Sequence, residues 1–406
     1  MTATMTTRNG PFAFHYRCIE CGREYTITPE RMRCDHCAGR QEEKRPLRGL
    51  LEVVISVTTL LPPEWQPLDL LPVEREWFPP IPVGNTPLWE PRRLREHLGL
   101  PSLFLKDDGL NPTGSLKDRA SWLVAAFARK HGIRRVVVAS TGNAGSSMAG
   151  IGAAAGLEVR LYLPASAPPA KRVQSRQYGA DLQEVDGTYD EAFELSLKYL
   201  DEHGGLSRNT GFNPLTIEGK KTVALEIFRQ LGRTPDHVFV STGDGVIISG
   251  VFRGFEDLVS LGLAPRVPEV ICVQAEGSNA IARALAQGSF GPPVRSDTIA
   301  DSISVDVPAG GEFALRRLQR HRGKTVTVSD REILEAQRLL ASGSGCFVEP
   351  AAATAFAGLR RYREKISPDR CVVVLLTGNG LKDIAAATRG IEENVKTLQQ
   401  PGSELS

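Results

Sequence analysis

Three times along this chain an apolar run ends in a glycine-containing loop that opens a helix-like stretch, and no other feature constrains the fold as much. Arg135 to Ala139 leads into Ser140-Thr141-Gly142-Asn143-Ala144-Gly145. His237 to Val240 leads into Ser241-Thr242-Gly243-Asp244-Gly245, and Cys371 to Leu376 into Thr377-Gly378-Asn379-Gly380-Leu381-Lys382-Asp383. Leu103-Phe104-Leu105, Val159 to Leu163 and Val270 to Val273 read as further strands. Ala120 to Lys130, Ser146 to Ala155 and Val246 to Leu258 read as helices. Strands that alternate with helices indicate an α/β protein with mainly parallel, twisted sheets. In such sheets ligands bind where strand carboxyl ends meet helix starts.

The 406 residues are 41% hydrophobic and 24% charged, which suits two or three globular domains. A formal net charge of +2 gives no case for nucleic acid or for an acidic membrane surface. No apolar run approaches the roughly 20 residues that span a bilayer. Met1 to Arg17 lacks the apolar core of a secretory signal, so the cytoplasm is the expected compartment. From about Gln41 to Pro87 prolines recur, among them Pro62-Pro63, Pro79-Pro80 and Pro82. They exclude long helices and predict an extended connector around a larger body.

Cys18, Cys21, Cys34 and Cys37 form C-x2-C-x12-C-x2-C, the spacing of two zinc-ribbon knuckles. Gly22 and the pair Ala38-Gly39 supply the tight turns. Four thiolates leave no open position, so such a zinc is structural. Disulfides or an iron site are the alternatives, and His36 is a competing ligand. Cys272, Cys346 and Cys371 lie in apolar surroundings and read as small buried residues.

Lys117 stands in the run Asn111-Pro112-Thr113-Gly114-Ser115-Leu116-Lys117-Asp118-Arg119. Pro112 fixes one backbone angle, Gly114 permits another, and Ser115 is placed to cap the following helix. A lysine held there is either a solvated helix residue or a desolvated amine that condenses with an aldehyde. The three loops add what such an aldehyde cofactor needs. The helix start after Gly142 offers N–H groups to an anion, with Asn143 beside it. Gly243 and Gly245 suit a phosphate, although Asp244 repels one unless it turns away. Thr377 puts a hydroxyl at a strand end, where it favours a neutral pyridine ring. Together these describe a site for pyridoxal 5'-phosphate.

These segments resemble threonine synthase and its relatives in the tryptophan-synthase-like group of pyridoxal phosphate enzymes. The resemblance runs from about Tyr16 to Ile384. It rests on the run 111–119, on Ser-Thr-Gly-Asn-Ala-Gly at 140–145 and on Glu-Gly-Lys-Lys-Thr at 218–222. Glu-Pro-Ala at 349–351 and Thr-Gly-Asn-Gly-Leu-Lys-Asp at 377–383 complete it. It implies that Lys117 carries the cofactor and moves protons, and that Asn143 bonds its phenolic oxygen. Gly243, Asp244 and Gly245 would form the phosphate loop, and Thr377 would face the ring nitrogen. Ser115, Thr141, Gly142 and Ala144 would bind the amino-acid substrate, with Thr141 to Ala144 on its carboxylate. It also implies a homodimer, with a ribbon at 1–45, a large domain at 46–130 and 235–395, a small mobile domain at 131–234 and a tail at 396–406.

Two departures bear on the substrate. Relatives commonly carry Gly-Asn-Ala-Gly-Asn where this chain has Gly243-Asp244-Gly245. They also carry an arginine for the substrate phosphate in Asn-Pro-x-Arg, where this chain reads Asn213-Pro214-Leu215-Thr216. Lys171, Arg172, Arg208, Lys220 and Lys221 are the cations available to replace it. The implied activity is a carbon–oxygen lyase that turns O-phosphohomoserine and water into threonine and phosphate. Deamination or β-replacement on threonine, serine or a derivative is the alternative. A non-catalytic regulator on the same scaffold is a third reading, disfavoured by Lys117 with Asn143.

Overall fold

The computed structural model describes residues 7–57, 64–165 and 167–398. Strands β1 (Thr7–Asn9), β2 (Phe12–Cys18), β3 (Glu24–Tyr25) and β4 (Leu51–Val57) form an antiparallel sheet. β4 pairs along the whole of β2, while β1 and β3 share its other edge. The connector is therefore only partly as expected. Its segment Leu-Glu-Val-Val-Ile-Ser-Val is β-branched enough to complete a sheet, and only short 3-10 turns follow at Pro67–Leu70 and Arg75–Trp77. Pro62-Pro63 lies outside the described residues.

The remaining strands are β5 (Leu88–Trp89), β6 (Leu103–Asp107), β7 (Arg135–Ala139), β8 (Glu158–Pro164), β9 (Asp181–Val185), β10 (Leu206–Ser207), β11 (His237–Ser241), β12 (Glu269–Ala275), β13 (Lys324–Val328) and β14 (Val372–Leu376). They build two sheets, ordered β10-β7-β8-β9 and β13-β12-β11-β14-β6-β5. Every neighbouring pair is parallel except β5 with β6. Alternation along the strands divides the larger core. Val238, Val240, Val373 and Leu375 join one apolar cluster, while Phe239, Val372, Val374 and Leu376 join the other. Both faces are covered, so β14 reads as the unbroken apolar run Val-Val-Val-Leu-Leu. Cys272, Cys346 and Cys371 are buried and free.

The four strands of the smaller sheet fall within 131–234. Helices Leu215–Lys220 and Thr222–Leu231 also fall there by sequence, yet they pack against helix Val246–Ser260. Gly250 and Gly254 permit that approach, since a Cβ at either would come within 3.0 Å of Lys220, Lys221 or Ala224. The last helix, Ile384–Leu398, extends past residue 396, and the rest of the expected tail lies outside the described residues. Among the described residues no helix is long and apolar enough to cross a membrane.

A buried ion cluster joins the two sides of the frame. Glu226 accepts from Lys106 at 2.7 Å and from Arg119 at 2.6 Å, and Arg119 also bonds Asp108. Burial raises the Glu226 pKa, but Arg119 and Lys106 outweigh it and hold the carboxyl at about 2. A depressed carboxyl contributes stability that is fully present above its ordinary value of 4.5 and is lost as pH falls from there toward about 2. Glu226→Gln is expected to destabilise the fold by about 3–5 kcal/mol, because it leaves buried cations underpaired. Urea unfolding followed across that pH window checks both the loss and a flatter acid dependence in the variant.

Candidate active site

Lys117 is the first residue of helix Lys117–Lys130, three residues earlier than the apolar pattern suggests. Gly114 takes φ +86°, the left-handed turn expected of it. Ser115 does not cap the helix. Leu116, already helical, occupies the N-cap position, so Ser115 falls one residue too early and its buried hydroxyl has no partner. The turn is held instead by Asp118, whose carboxylate accepts the Thr113 N–H at 2.8 Å and the Thr113 hydroxyl. Burial pushes the Asp118 pKa up. Two backbone bonds then clamp the run to the end of β14. Leu116 N–H donates to Thr377 C=O at 2.9 Å, and Asn379 N–H donates to Gly114 C=O at 3.0 Å. Lys117 and Thr377, far apart in sequence, are thereby fixed as neighbours.

Lys117 lines a cavity of about 390 Å³ together with Thr141, Gly142, Asn143, Ala144 and Asp244. These are six of the residues singled out from the sequence. The helix after Gly142 begins at Asn143, again earlier than the apolar pattern suggests. The N–H groups of Thr141, Asn143 and Ala144 find no acceptor among the described residues, which makes this turn a ready anion site. Asn143 Nδ2 donates to both oxygens of Glu349, at 2.8 and 3.0 Å, and its buried Oδ1 is unpartnered. Glu349, marked in the sequence only by the Glu-Pro-Ala motif at 349–351, is thus a direct partner of Asn143.

Gly243 and Gly245 do not line the cavity; they let the loop pack. A Cβ on Gly243 would meet the Ile303 backbone at 2.6 Å, and one on Gly245, at φ +82°, would meet Gly310 C=O at 2.9 Å. The N–H groups of Gly243, Asp244 and Gly245 are without acceptors among the described residues. Asp244 has turned to accept the Val246 N–H at 2.9 Å. Burial raises its pKa, but Lys117, Lys220, that N–H and Arg208 outweigh it and leave the carboxyl below its ordinary range.

Sequence reasoning missed the opposite wall, residues 296–309, which carries Asp301 and Ser302. Asp301 pairs with Lys171 at 2.6 Å and Ser302 accepts from Asn143 at 3.2 Å. The segment has neither apolar periodicity nor a glycine motif to reveal it.

The polar groups fit a phosphorylated pyridine aldehyde. Lys117, Asn143 and the Thr141–Ala144 turn line the cavity, and the unpartnered Ser115 Oγ, the free N–H groups of Gly243 and Gly245 and Thr377 lie outside that lining. The four cysteine sulfurs lie within 4.8 Å of one another, with Cys21 and Cys34 3.7 Å apart, and none is in a disulfide. His36 is not in the cluster. Gly22 turns at φ +73° as expected, but Gly39 sits at φ −63°, because the second knuckle closes as the short helix Asp35–Ala38.

The chain matches the family of pyridoxal-phosphate dependent enzymes over residues 81–378. It is 34% identical over 378 residues to a threonine synthase of Methanosarcina acetivorans, covering 91% of this chain and 92% of that one. The threonine synthase of Methanocaldococcus jannaschii is 35% identical over 390 residues, with coverage of 94% and 96%. That of Mycobacterium tuberculosis is 36% identical over 320 residues, with coverage of 78% and 87%. Among solved structures, a threonine deaminase of T.th. superposes with TM-score 0.64 at 25% identity, covering 73% of this chain and 92% of that one. Threonine deaminase isoform 2 of Solanum lycopersicum reaches TM-score 0.67 at 24% identity, covering 76% and 82%, a likeness of fold alone. The chain belongs to the pyridoxal-phosphate dependent enzyme family, alongside the threonine synthases.

Proposed function

We propose that this chain is a pyridoxal phosphate-dependent threonine synthase, a carbon–oxygen lyase that converts O-phosphohomoserine and water to threonine and phosphate. The observation that carries the reading is a single cavity where the Lys117 amine faces a turn of free N–H groups at Thr141, Asn143 and Ala144. Relatives of this extent and identity support it. Pyridoxal phosphate, when bound, supplies an aldehyde for the substrate amine and an electron sink for the carbon beside it. Lys117 holds and moves protons at that carbon and at the carbon bearing the leaving group. The turn at Thr141 to Ala144 would bind the substrate carboxylate and so orient the bond to be broken. Asn143 would bond the phenolic oxygen, the Gly243–Gly245 loop would take the cofactor phosphate, and Thr377 would meet the ring nitrogen without a full charge.

Deamination or β-replacement remains the second reading, and Thr216 favours it. Thr216 is fully buried, and its hydroxyl donates to Asn213 C=O at 2.7 Å and accepts the Gly211 N–H at 3.1 Å. It has nothing left to offer a phosphate. We further assign the four cysteines to a structural zinc, residues 131–234 to a body that moves over the cofactor, and the protein to a cytoplasmic homodimer.

Incubation with O-phosphohomoserine is expected to yield threonine and phosphate in equal amounts. Lys117→Ala is expected to lose at least about 1,000-fold in rate, as for removal of a proton-transfer group that also carries the cofactor. Ammonia and a 2-oxo acid without phosphate would instead favour the deaminase. For the ribbon, metal analysis is expected to find one zinc per chain, with Cys34→Ser lowering zinc content and the thermal midpoint together. A metal-free wild type with an unchanged midpoint would sink that assignment.

A further inference from the structure

Five cations were available to replace the missing arginine at position 216, and the structure separates them. Lys171 is paired with Asp301 at 2.6 Å, Arg172 with Glu184 at 2.7 Å, and Lys221 with Glu218 and Asp257. Arg208 and Lys220 are left without a carboxylate within bonding distance among the described residues. Both are wholly buried. Arg208 bonds only neutral hydroxyls, Ser121 through Nε at 3.1 Å and Thr210 through Nη1 at 2.7 Å, and its Nη2 has no partner. Lys220 Nζ has no partner at all. Buried cations are ordinarily paired. Arg208 bonds the cavity-lining Thr210 and Lys220 acts on the cavity-lining Asp244, so the two orphans describe a receptor whose anion arrives from outside the chain.

We propose that Arg208, Lys220 and Thr210 form a receptor for a phosphoryl dianion, and that the group it receives is the leaving phosphate of the substrate. Thr210 lines the cavity with Lys117 and Asp244 and carries the Arg208 bond, so it is the one member of the receptor that reaches the cavity surface. Two phosphoryl groups enter this cavity under the proposed reaction, on which this assignment to the substrate rests. The free N–H groups at Gly243 to Gly245 already suit the cofactor's phosphate, which leaves the cation pair for the other. Charge supports a dianion. Lys117, Lys220 and Arg208 all act on one carboxylate, Asp244, which is itself committed to the Val246 N–H. Burial, with Lys117 and Arg208 nearby, pushes the Lys220 pKa well below its ordinary value despite Asp244; burial likewise lowers Arg208 to about 10, with Asp244, Tyr189 and Asp118 opposing. An arriving dianion opposes that shift at Lys220. Both cations are wholly buried, so admission requires Thr210 and its neighbours to move aside, as the proposed movement of residues 131–234 allows.

The test is calorimetric titration of the cofactor-loaded protein with inorganic phosphate and with O-phosphohomoserine, alongside spectral titration of cofactor-free protein with pyridoxal phosphate. Lys220→Met and Arg208→Gln are each expected to weaken both phosphate ligands by about 10-fold or more, as for loss of a charge-assisted bond. Cofactor affinity is expected to change by about 3-fold or less. Lys220→Met without phosphate is expected to unfold at or above the wild-type temperature and to lose the phosphate-induced rise, which a merely structural lysine would not do. If Lys220→Met does not fold, Lys220→Arg, expected to keep phosphate affinity, and Arg208→Gln carry the test. Unchanged phosphate affinity in the uncharged variants would overturn the receptor. A loss confined to pyridoxal phosphate would overturn its assignment to the substrate. Wild-type protein that binds phosphate through this pair but releases none from O-phosphohomoserine would overturn the proposed reaction and leave the receptor standing.

Discussion

The burial of Arg119 fixes the site more than any other interaction. Its guanidinium lies two residues beyond Lys117 and bonds Asp108, Glu226, Thr222 and Thr86. Asp108 follows the end of β6, and Glu226 belongs to helix Thr222–Leu231. A charge this deep is tolerated only when every donor is met, and few placements of the helix meet them all. The first turn, and Lys117 with it, is therefore set by a network outside the cavity. The backbone clamp between Gly114–Leu116 and Thr377–Asn379 then sets the lysine against the end of β14. A catalytic amine built this way is positioned by its supports and needs no hydrogen bond of its own.

Much of this was legible in the sequence, for physical reasons. Strands buried on both faces must be continuously apolar, so β7, β11 and β14 stood out, while β8 and β12 begin one residue earlier than their apolar runs, at the polar Glu158 and Glu269. Helix starts were read too late at Lys117 and Asn143. The first turn of each carries polar working residues, which apolar periodicity cannot flag. The connector hid β4 because its prolines dominate a stretch that also holds one short β-branched run. Within the site, Lys117, Thr141 to Ala144 and Asp244 were legible because glycine loops after strands have few other uses. The wall at 296–309 was not, since it reaches the cavity only by tertiary folding.

The substrate question turns on where positive charge sits rather than on one motif. Losing an arginine at 216 need not lose its function if a guanidinium and an ammonium enter the same space from other elements. Arg208 comes from the end of β10 and Lys220 from helix Leu215–Lys220, and both press on Asp244. Such a rearrangement changes the local chemistry. Arginine in a bidentate grip stays charged throughout, whereas burial and the nearby Lys117 and Arg208 hold the Lys220 pKa down and leave it more responsive to an arriving anion.

The N-terminal sheet bears on the idea of a detachable binding module. Glu52, on β4, is nearly sealed among Arg17, Arg253 and Arg317. Burial raises its pKa, but Arg317, Arg253 and Arg17 together hold it below the ordinary carboxylate range. Arg253 also donates to Val53 C=O at 2.9 Å and pairs with Asp257 within its own helix. That helix, Val246–Ser260, begins at the Gly243–Gly245 loop, so the sheet grips the far side of the element that presents the loop. A docking arm would join the body through a pliable linker and a wet interface. A sheet fastened by buried ion pairs to a site-bearing helix is a buttress. An ion bound by the four cysteines would stiffen the frame of the cavity and not reach out to a partner.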